Sequence, residues 1–295
     1  MTYSISDTKT ELLNARLRRT VGRIKDSVGV DRRTFQDMLG VLPSRYAELR
    51  FQKSDFSIDE IYSLADALKL DMDLLFSGRI DYQALARQFK GDLTALPERY
   101  QNDVEKMARA RAAQVIFAHL SLYHGEDYAR SYFRRIQIHP EAFSNPTDFI
   151  HPRITTDLIK GLGRENYSED QIRGVGTMTL ALFPEVVRKR LLASRTPREL
   201  YSYILEEYAP RQYDRIYHYK LESLSADRCR VVSQITELAQ SVFVHDPIDN
   251  REACLYRQGV FSSFYGVLGK KLAQIEEVSC VHLGDRKCEI DIVWA

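Results

Sequence analysis

Three cysteines and a carboxylate near the C-terminus carry the clearest chemistry in this sequence. Cys254 is followed by Glu277, Cys280 and Cys288, and the chain then runs through Ile290 and Ile292 to Trp294. Three thiolates and one carboxylate fill a tetrahedral Zn²⁺ shell, and a shell with no open position is structural rather than catalytic. Gly284-Asp285 lies between Cys280 and Cys288, where a tight turn would fold the two sulfurs toward each other. In a regular strand, however, Glu277 and Cys280 point to opposite faces, while Cys280 and His282 share one. A metal site that uses Glu277 therefore needs a bulge, or a strand that begins just after it. The competing reading is that the buried cysteines act as small hydrophobes.

The rest of the chemistry is a matter of charge. The 295 residues carry 42 basic and 41 acidic side chains, so the net charge of +1 hides a local asymmetry. Ten Lys or Arg stand against four acids from Arg16 to Lys53, and six acids against Lys69 alone from Asp55 to Asp73. A basic stretch followed by an acidic one suits a module with one face toward phosphate. No nucleophile elbow, phosphate-binding loop, dinucleotide loop or His-Glu-x-x-His pair is present. Glu206-Glu207 and Glu276-Glu277 are chain neighbours rather than a catalytic dyad, so no catalytic residue is assigned and no enzyme is expected. No apolar run is long enough to span a bilayer, no signal-peptide core is seen, and four cysteines make no secreted disulfide framework. A cytoplasmic protein is expected.

Helices and strands must position these groups. Leu12–Ser27 reads as a basic amphipathic helix. Asp31 caps a helix over Arg32–Leu39 that Gly40 ends, and Pro43 opens another that runs to about Phe51. Ser57 caps a further helix through Leu68, and Leu70–Leu75 starts a short last one. Leu96–Arg134 reads as one long helix, or two joined at His124-Gly-Glu, and offers a dimer element. Pro184 and Pro197 open helices. Beyond them Tyr213–Glu222 and Cys229–Ile235 read as a hairpin, Glu252–Leu272 as a helix, and two strands flank Gly284-Asp285. The expected fold class is mostly α in the N-terminal and middle regions, with an α+β C-terminal domain on an antiparallel sheet. The expected domains are 1–80, a helical linker or dimerisation region at 81–150, and 151–295.

Two resemblances add to this reading. The Cys254-Leu-Tyr-Arg-Gln-Gly259 segment, Tyr265-Gly-Val-Leu-Gly269 and Glu277-x-x-Cys280-x-x-x-Gly284-Asp285-x-x-Cys288 resemble the vinyl-4-reductase-like domain of the haem-nitric-oxide-binding superfamily. Such domains are ligand sensors in phenol-responsive bacterial activators. The resemblance implies a structural zinc held by Cys254, Glu277, Cys280 and Cys288. It also implies a pocket for a small hydrophobic or aromatic molecule, with Phe261, Phe264, Tyr265, His282 and Ile290 as candidate lining. The first eighty residues resemble the Cro/CI-type (XRE) helix-turn-helix family, through Val21-Gly-Arg-Ile24, Leu39-Gly40-Val41, Tyr46, Leu49 and the Ile61–Leu75 pattern. By position, Arg32 and Arg33 become phosphate contacts, and Ser44, Arg45 and Glu48 readers of base edges. Gln36 departs from that family, which favours a small residue there, and Arg50 and Gln52 replace its usual Glu and Gly. The combined expectation is a homodimeric, ligand-responsive transcriptional regulator that binds double-stranded DNA and no membrane. The alternatives are a scaffold that uses both modules for protein contacts, or a tetrapyrrole-binding protein.

Overall fold

The computed structural model describes residues 5–243 and 248–294, with side chains from Glu11 onward except at 210–213. The chain forms two compact units: one holds residues up to 99 with 124–142, the other 100–123 with 143 onward. The division differs from the expected three-part order, because the chain enters the second unit, leaves it and returns.

In the first unit, α1 (Ile5–Val28), α2 (Arg32–Leu39), α3 (Pro43–Arg50), α4 (Ile58–Ala67), α5 (Met72–Ser77) and α6 (Tyr82–Phe89) follow one another. Local chemistry sets their ends. Asp31 accepts from Thr34 N–H at 2.9 Å, Gly40 closes α2 at φ 66°, and Pro43 opens α3. Ser57 and Glu60 form a reciprocal capping box on α4. Between them the helices bury Ile24, Phe35, Leu39, Ile61, Leu64 and Leu75 in one core. Of the two readings of Leu96–Arg134, one long helix is not present, whereas two helices joined at His124-Gly-Glu are, though the first begins only at Ala110. Two short 3₁₀ turns and strand β1 (Ala108–Arg109) come first, and α7 spans Ala110–His124. Gly125, at φ 91°, breaks it from α8 (Glu126–Arg134). All but the last residue of α7 lies in the second unit, and α8 in the first.

The second unit continues with β2 (Phe149–Ile150), which pairs with β1, and with α9 (Pro152–Arg164), α10 (Glu169–Thr177), α11 (Glu185–Leu192) and α12 (Pro197–Ser202). A π-helical run covers Tyr203–Tyr213. Strands β3 (Tyr217–Leu224) and β4 (Arg228–Ile235) form the expected hairpin, followed by α13 (Glu237–Val242) and α14 (Arg251–Phe264). Strands β5 (Gln274–Ser279) and β6 (Cys288–Val293) complete an antiparallel sheet ordered β3-β4-β6-β5. The fold is therefore helical through the N-terminal and middle regions and α+β toward the C-terminus, as expected. Every residue of α14 from Ala253 to Phe264 is buried. α10 and α14 cross backbone to backbone: a Cβ on Gly259 would lie 1.8 Å from the Arg173 carbonyl oxygen, and one on Gly176 2.0 Å from that of Tyr256. Among the described residues no helix is long and apolar enough to cross a membrane.

Candidate metal centre and ligand cavity

Cys254 sits in the first turn of α14, where Asn250 caps the helix by accepting from Ala253 N–H at 2.7 Å. Cys280 directly follows β5 and Cys288 begins β6, joined by a 3₁₀ turn and by Gly284 at φ 101°. Asp285 ties this loop down by accepting from Cys280 N–H at 2.8 Å. The three sulfurs lie within 4.8 Å of one another, with Cys254 3.9 Å from both Cys280 and Cys288. Four donors at a Zn–S length of about 2.3 Å in tetrahedral array stand about 3.8 Å apart, so these spacings fit zinc. Cys254 and Cys280 are buried and Cys288 half-buried, which suits a closed structural shell. The hydrogen bond between Cys254 and Cys288 pushes the Cys254 thiol up and brings Cys288 down to about 6, so one thiolate forms readily. Cys229 is buried on β4, apart from this group.

Glu277 needs separate treatment. The bulge that its use requires is present, since the β5–β6 register shifts between Glu277 and Ser279. Its carboxylate nevertheless stands outside the sulfur cluster: Oε1 accepts from Arg251 at 2.5 Å and from Gln258 at 2.7 Å. A second grouping, Asp249, Cys254 and His282, also lies within 4.8 Å. His282, a candidate for the pocket lining, instead sits 3.4 Å from Asp249. Asp249 also accepts two hydrogen bonds from Arg257, at 3.0 and 3.1 Å. Burial alone would raise the Asp249 pKa; the Arg257 charge and the His282 and Arg257 hydrogen bonds overcome it and hold the carboxyl well below its usual range.

A cavity of about 80 Å³ opens beside this centre, walled by β1, α7, α9, β3 and α14. None of Phe261, Phe264, Tyr265, His282 and Ile290 lines it. Phe261 and Ile290 instead line a smaller cleft of about 20 Å³ with Cys254 and Cys288; Phe261 also packs edge-on against Tyr219 with ring centres 5.3 Å apart, Phe264 packs against Phe183 at 5.6 Å, and Tyr265 faces Trp294 at 6.5 Å. The Phe261–Tyr219 contact holds α14 to β3. Ile290 is buried on β6. α14 reaches the cavity one turn earlier, through Ala253, Tyr256 and Arg257. Arg257 joins the two features. It lines the cavity, stacks 3.9 Å from the Tyr217 ring centre and donates to Cys254 Sγ at 3.1 Å. Helical spacing from Cys254 could have found it, because i and i+3 share a face. Nothing in the sequence marks Arg111 or Asp214, which also line the cavity.

In the first unit, Arg32, Arg33, Ser44 and Glu48 are exposed on α2 and α3. Arg32 leans over the Tyr46 ring at 5.4 Å. Arg45 is turned away from the expected role. Its guanidinium donates to both Glu60 oxygens (2.7 and 3.2 Å), to Ser54 Oγ (2.6 Å) and to the Asp55 carbonyl (2.8 Å), clamping the segment after α3 onto α4. Gln36 is buried in α2, with an amide nitrogen that has no hydrogen-bond partner.

No protein-family profile and no curated protein matches this chain. It is similar to solved H-NOX structures. One is a doubly substituted Tt H-NOX, at 11% identity over 63% of this chain and 94% of that one, with a TM-score of 0.46. Another is an Fe(II) H-NOX mutant from S. oneidensis, at 12% identity over 63% and 96%, with a TM-score of 0.47. A third is an unliganded Fe(II) H-NOX mutant from K. algicida, at 10% identity over 63% and 95%, with a TM-score of 0.46.

Proposed function

We propose that this chain is a ligand-responsive DNA-binding regulator, whose second unit holds a small molecule in the α14 cavity beside a structural zinc. The observation that carries the reading is the wall shared by cavity and cysteine cluster. Arg257 touches Cys254 on one side and lines the cavity on the other, so an occupant meets a rigidly anchored base. Cys254, Cys280 and Cys288 would hold the zinc, with Glu277 as fourth ligand. Both hydrogen bonds to Glu277 fall on Oε1, in the manner of groups that orient a ligating carboxylate. The zinc supplies cross-linking between α14, β5 and β6. The α2–Gly40–α3 arrangement, with Arg32 and Arg33 exposed, supports DNA binding by the first unit. The test is selection of bound fragments from random duplex DNA by the full-length protein. Enrichment of a two-half-site sequence is expected, and no enrichment would favour the scaffold alternative.

A tetrapyrrole is the second reading for this cavity, and the lining tests it. Among the described residues the lining contains no histidine, cysteine or methionine, so tyrosine is the one axial-ligand type present, and about 80 Å³ falls far short of a porphyrin. The lining of this cavity does not fit haem. Titration of the purified protein with haem is expected to give no stoichiometric Soret band; such a band would assign the cavity to a tetrapyrrole instead.

A further inference from the structure

We propose that His151 is a proton-operated latch on the α14 cavity: the neutral ring caps α9 and fixes that wall, and the protonated ring releases the first turn of α9. The proposal rests on the reading that this cavity binds a ligand, and it adds the regulation of that site. Helix α9 supplies Pro152, Thr155, Thr156 and Ile159 to the lining. His151 stands at its N-cap in extended backbone, φ −64° and ψ 127°, the conformation favoured before a proline. Caps are ordinarily side-chain oxygens of Ser, Thr, Asp or Asn. Here the acceptor is a ring nitrogen, since Nδ1 accepts from the Arg153 N–H at 3.1 Å. Pro152 has no N–H, so Arg153 carries the first helical donor of α9.

A nitrogen that accepts carries no proton, so the neutral ring bears its hydrogen on Nε2 and donates to Glu105 Oε2 at 2.5 Å. Asn102 donates to the other oxygen of Glu105 at 2.6 Å and holds that carboxylate in place. A second proton can enter only at Nδ1, where it faces the Arg153 N–H and removes its acceptor. The ring has no room to turn aside: His151 is 1% exposed and edge-on to Tyr100 and Phe243, with ring centres 6.0 and 5.6 Å away. The charged groups around it are Glu105 from the 3₁₀ turn before β1, and Arg153 and Asp157 of α9, with the Tyr100 hydroxyl donating to Asp157 at 2.7 Å. Burial lowers the His151 pKa below 6.5, outweighing the Glu105 hydrogen bond and charge; Arg153 lowers it further and Asp157 opposes. A histidine with a depressed folded pKa contributes its full stability above the unfolded value and loses it as pH falls through the folded one. The cap is therefore made at neutral pH and lost in acid. Thr156 carries the change onward: its hydroxyl donates to the Ile248 carbonyl at 2.7 Å, and its own carbonyl accepts from Asn250, the cap of α14, at 3.3 Å. Loosening of α9 thus reaches both the α9 and the α14 walls.

Nuclear magnetic resonance of the full-length protein with ¹⁵N-labelled histidine, from pH 8 to pH 4.5, tests the latch. The His151 ring is expected to carry its proton on Nε2 at pH 8 and to gain a second with a midpoint below 6.5. Amide exchange at Arg153 and Ile154, corrected for the intrinsic effect of pH, should quicken about tenfold through that midpoint, as loss of one helix cap implies. Xenon, a single atom that neither gains nor loses a proton, probes the cavity, and its affinity should fall a few-fold over the same range. Glu105→Gln should move the midpoint to lower pH, because the carboxylate favours the charged ring. His151→Asn caps with an amide oxygen at every pH, and should keep the amides protected throughout. The measurements on the unaltered protein stand whether or not either variant folds. A ring protonated on Nδ1 at pH 8, a ring still neutral at pH 4.5, or amide exchange unchanged across the midpoint would overturn the latch. Xenon bound equally well on both sides of the midpoint would overturn its control of the cavity and leave the cavity reading intact. No xenon binding at any pH would overturn both.

Discussion

Among individual side chains, the cysteine cluster and the Arg45 clamp make opposite statements about exposure. Zinc at Cys254, Cys280 and Cys288 should appear as about one metal per chain by elemental analysis. Cys280→Ser should lose it and unfold the second unit first, because structural zinc contributes directly to folding free energy. Arg251→Ala should weaken zinc about 10–100-fold against a competing chelator, because Arg251 orients Glu277. A folded, metal-free protein would refute the site. Arg32→Ala should weaken DNA binding on every sequence alike and reduce the salt slope by about one unit. Arg45→Ala should instead lower the melting temperature, because its partners lie within the protein. Its partner Glu60 makes stability pH-dependent. Burial would raise the Glu60 pKa, but the hydrogen bonds from Arg45 and Ser57 hold it below 4.5. A group with a depressed folded pKa contributes its full stability above the unfolded value and loses it as pH falls through the folded one. Glu60→Gln should therefore flatten the acid limb of the stability curve below about pH 4.5, measured by urea midpoints at each pH.

Between helices, the α10–α14 crossing decides where the cavity wall stands. Close approach brings Cα–H groups against carbonyl oxygens, and glycine alone permits it here. Gly259→Ala must push the helices apart, and overpacking of this kind costs about 1–3 kcal/mol or more. Gly174, on the same α10, has open space where its Cβ would be. Gly174→Ala should be neutral or stabilise by up to about 1 kcal/mol through helix propensity. Thermal unfolding of the pair separates packing from propensity, and equal effects would mean the crossing is not tight.

Across the full chain, regulation requires that DNA and ligand each bind one state of the protein better than another. The coupling is reciprocal, and typically amounts to about 1–3 kcal/mol. Titration of the cavity's ligand with and without the selected duplex should give affinities that differ by the same factor as DNA affinities with and without that ligand. Equal affinities in both experiments would leave the two units as independent binders. The interleaved chain bears on this. Residues 100–123 belong to one unit and 124–142 to the other, so the backbone passes between the units repeatedly rather than through one linker.

Much of the local fold is written in the sequence. Asp31, Gly40, Pro43 and Ser57 mark helix ends because caps and turns depend on residues a few positions apart. The alternation around Asp227 marks the β3–β4 hairpin for the same reason. The cysteine spacing tells which sulfurs meet, and the strand period tells that Glu277 needs a bulge. Other features depend on partners distant in sequence. Arg45 looks like a free reader of bases until Glu60, fifteen residues on, claims it. Phe264 looks like pocket lining until Phe183 and Phe261 pack on it, and Arg111 and Asp214 meet at one cavity from positions about a hundred residues apart. Residue type and spacing set what a side chain can do, whereas burial, charge balance and hydrogen-bond partners are properties of the assembled fold, and those decide which capability remains available.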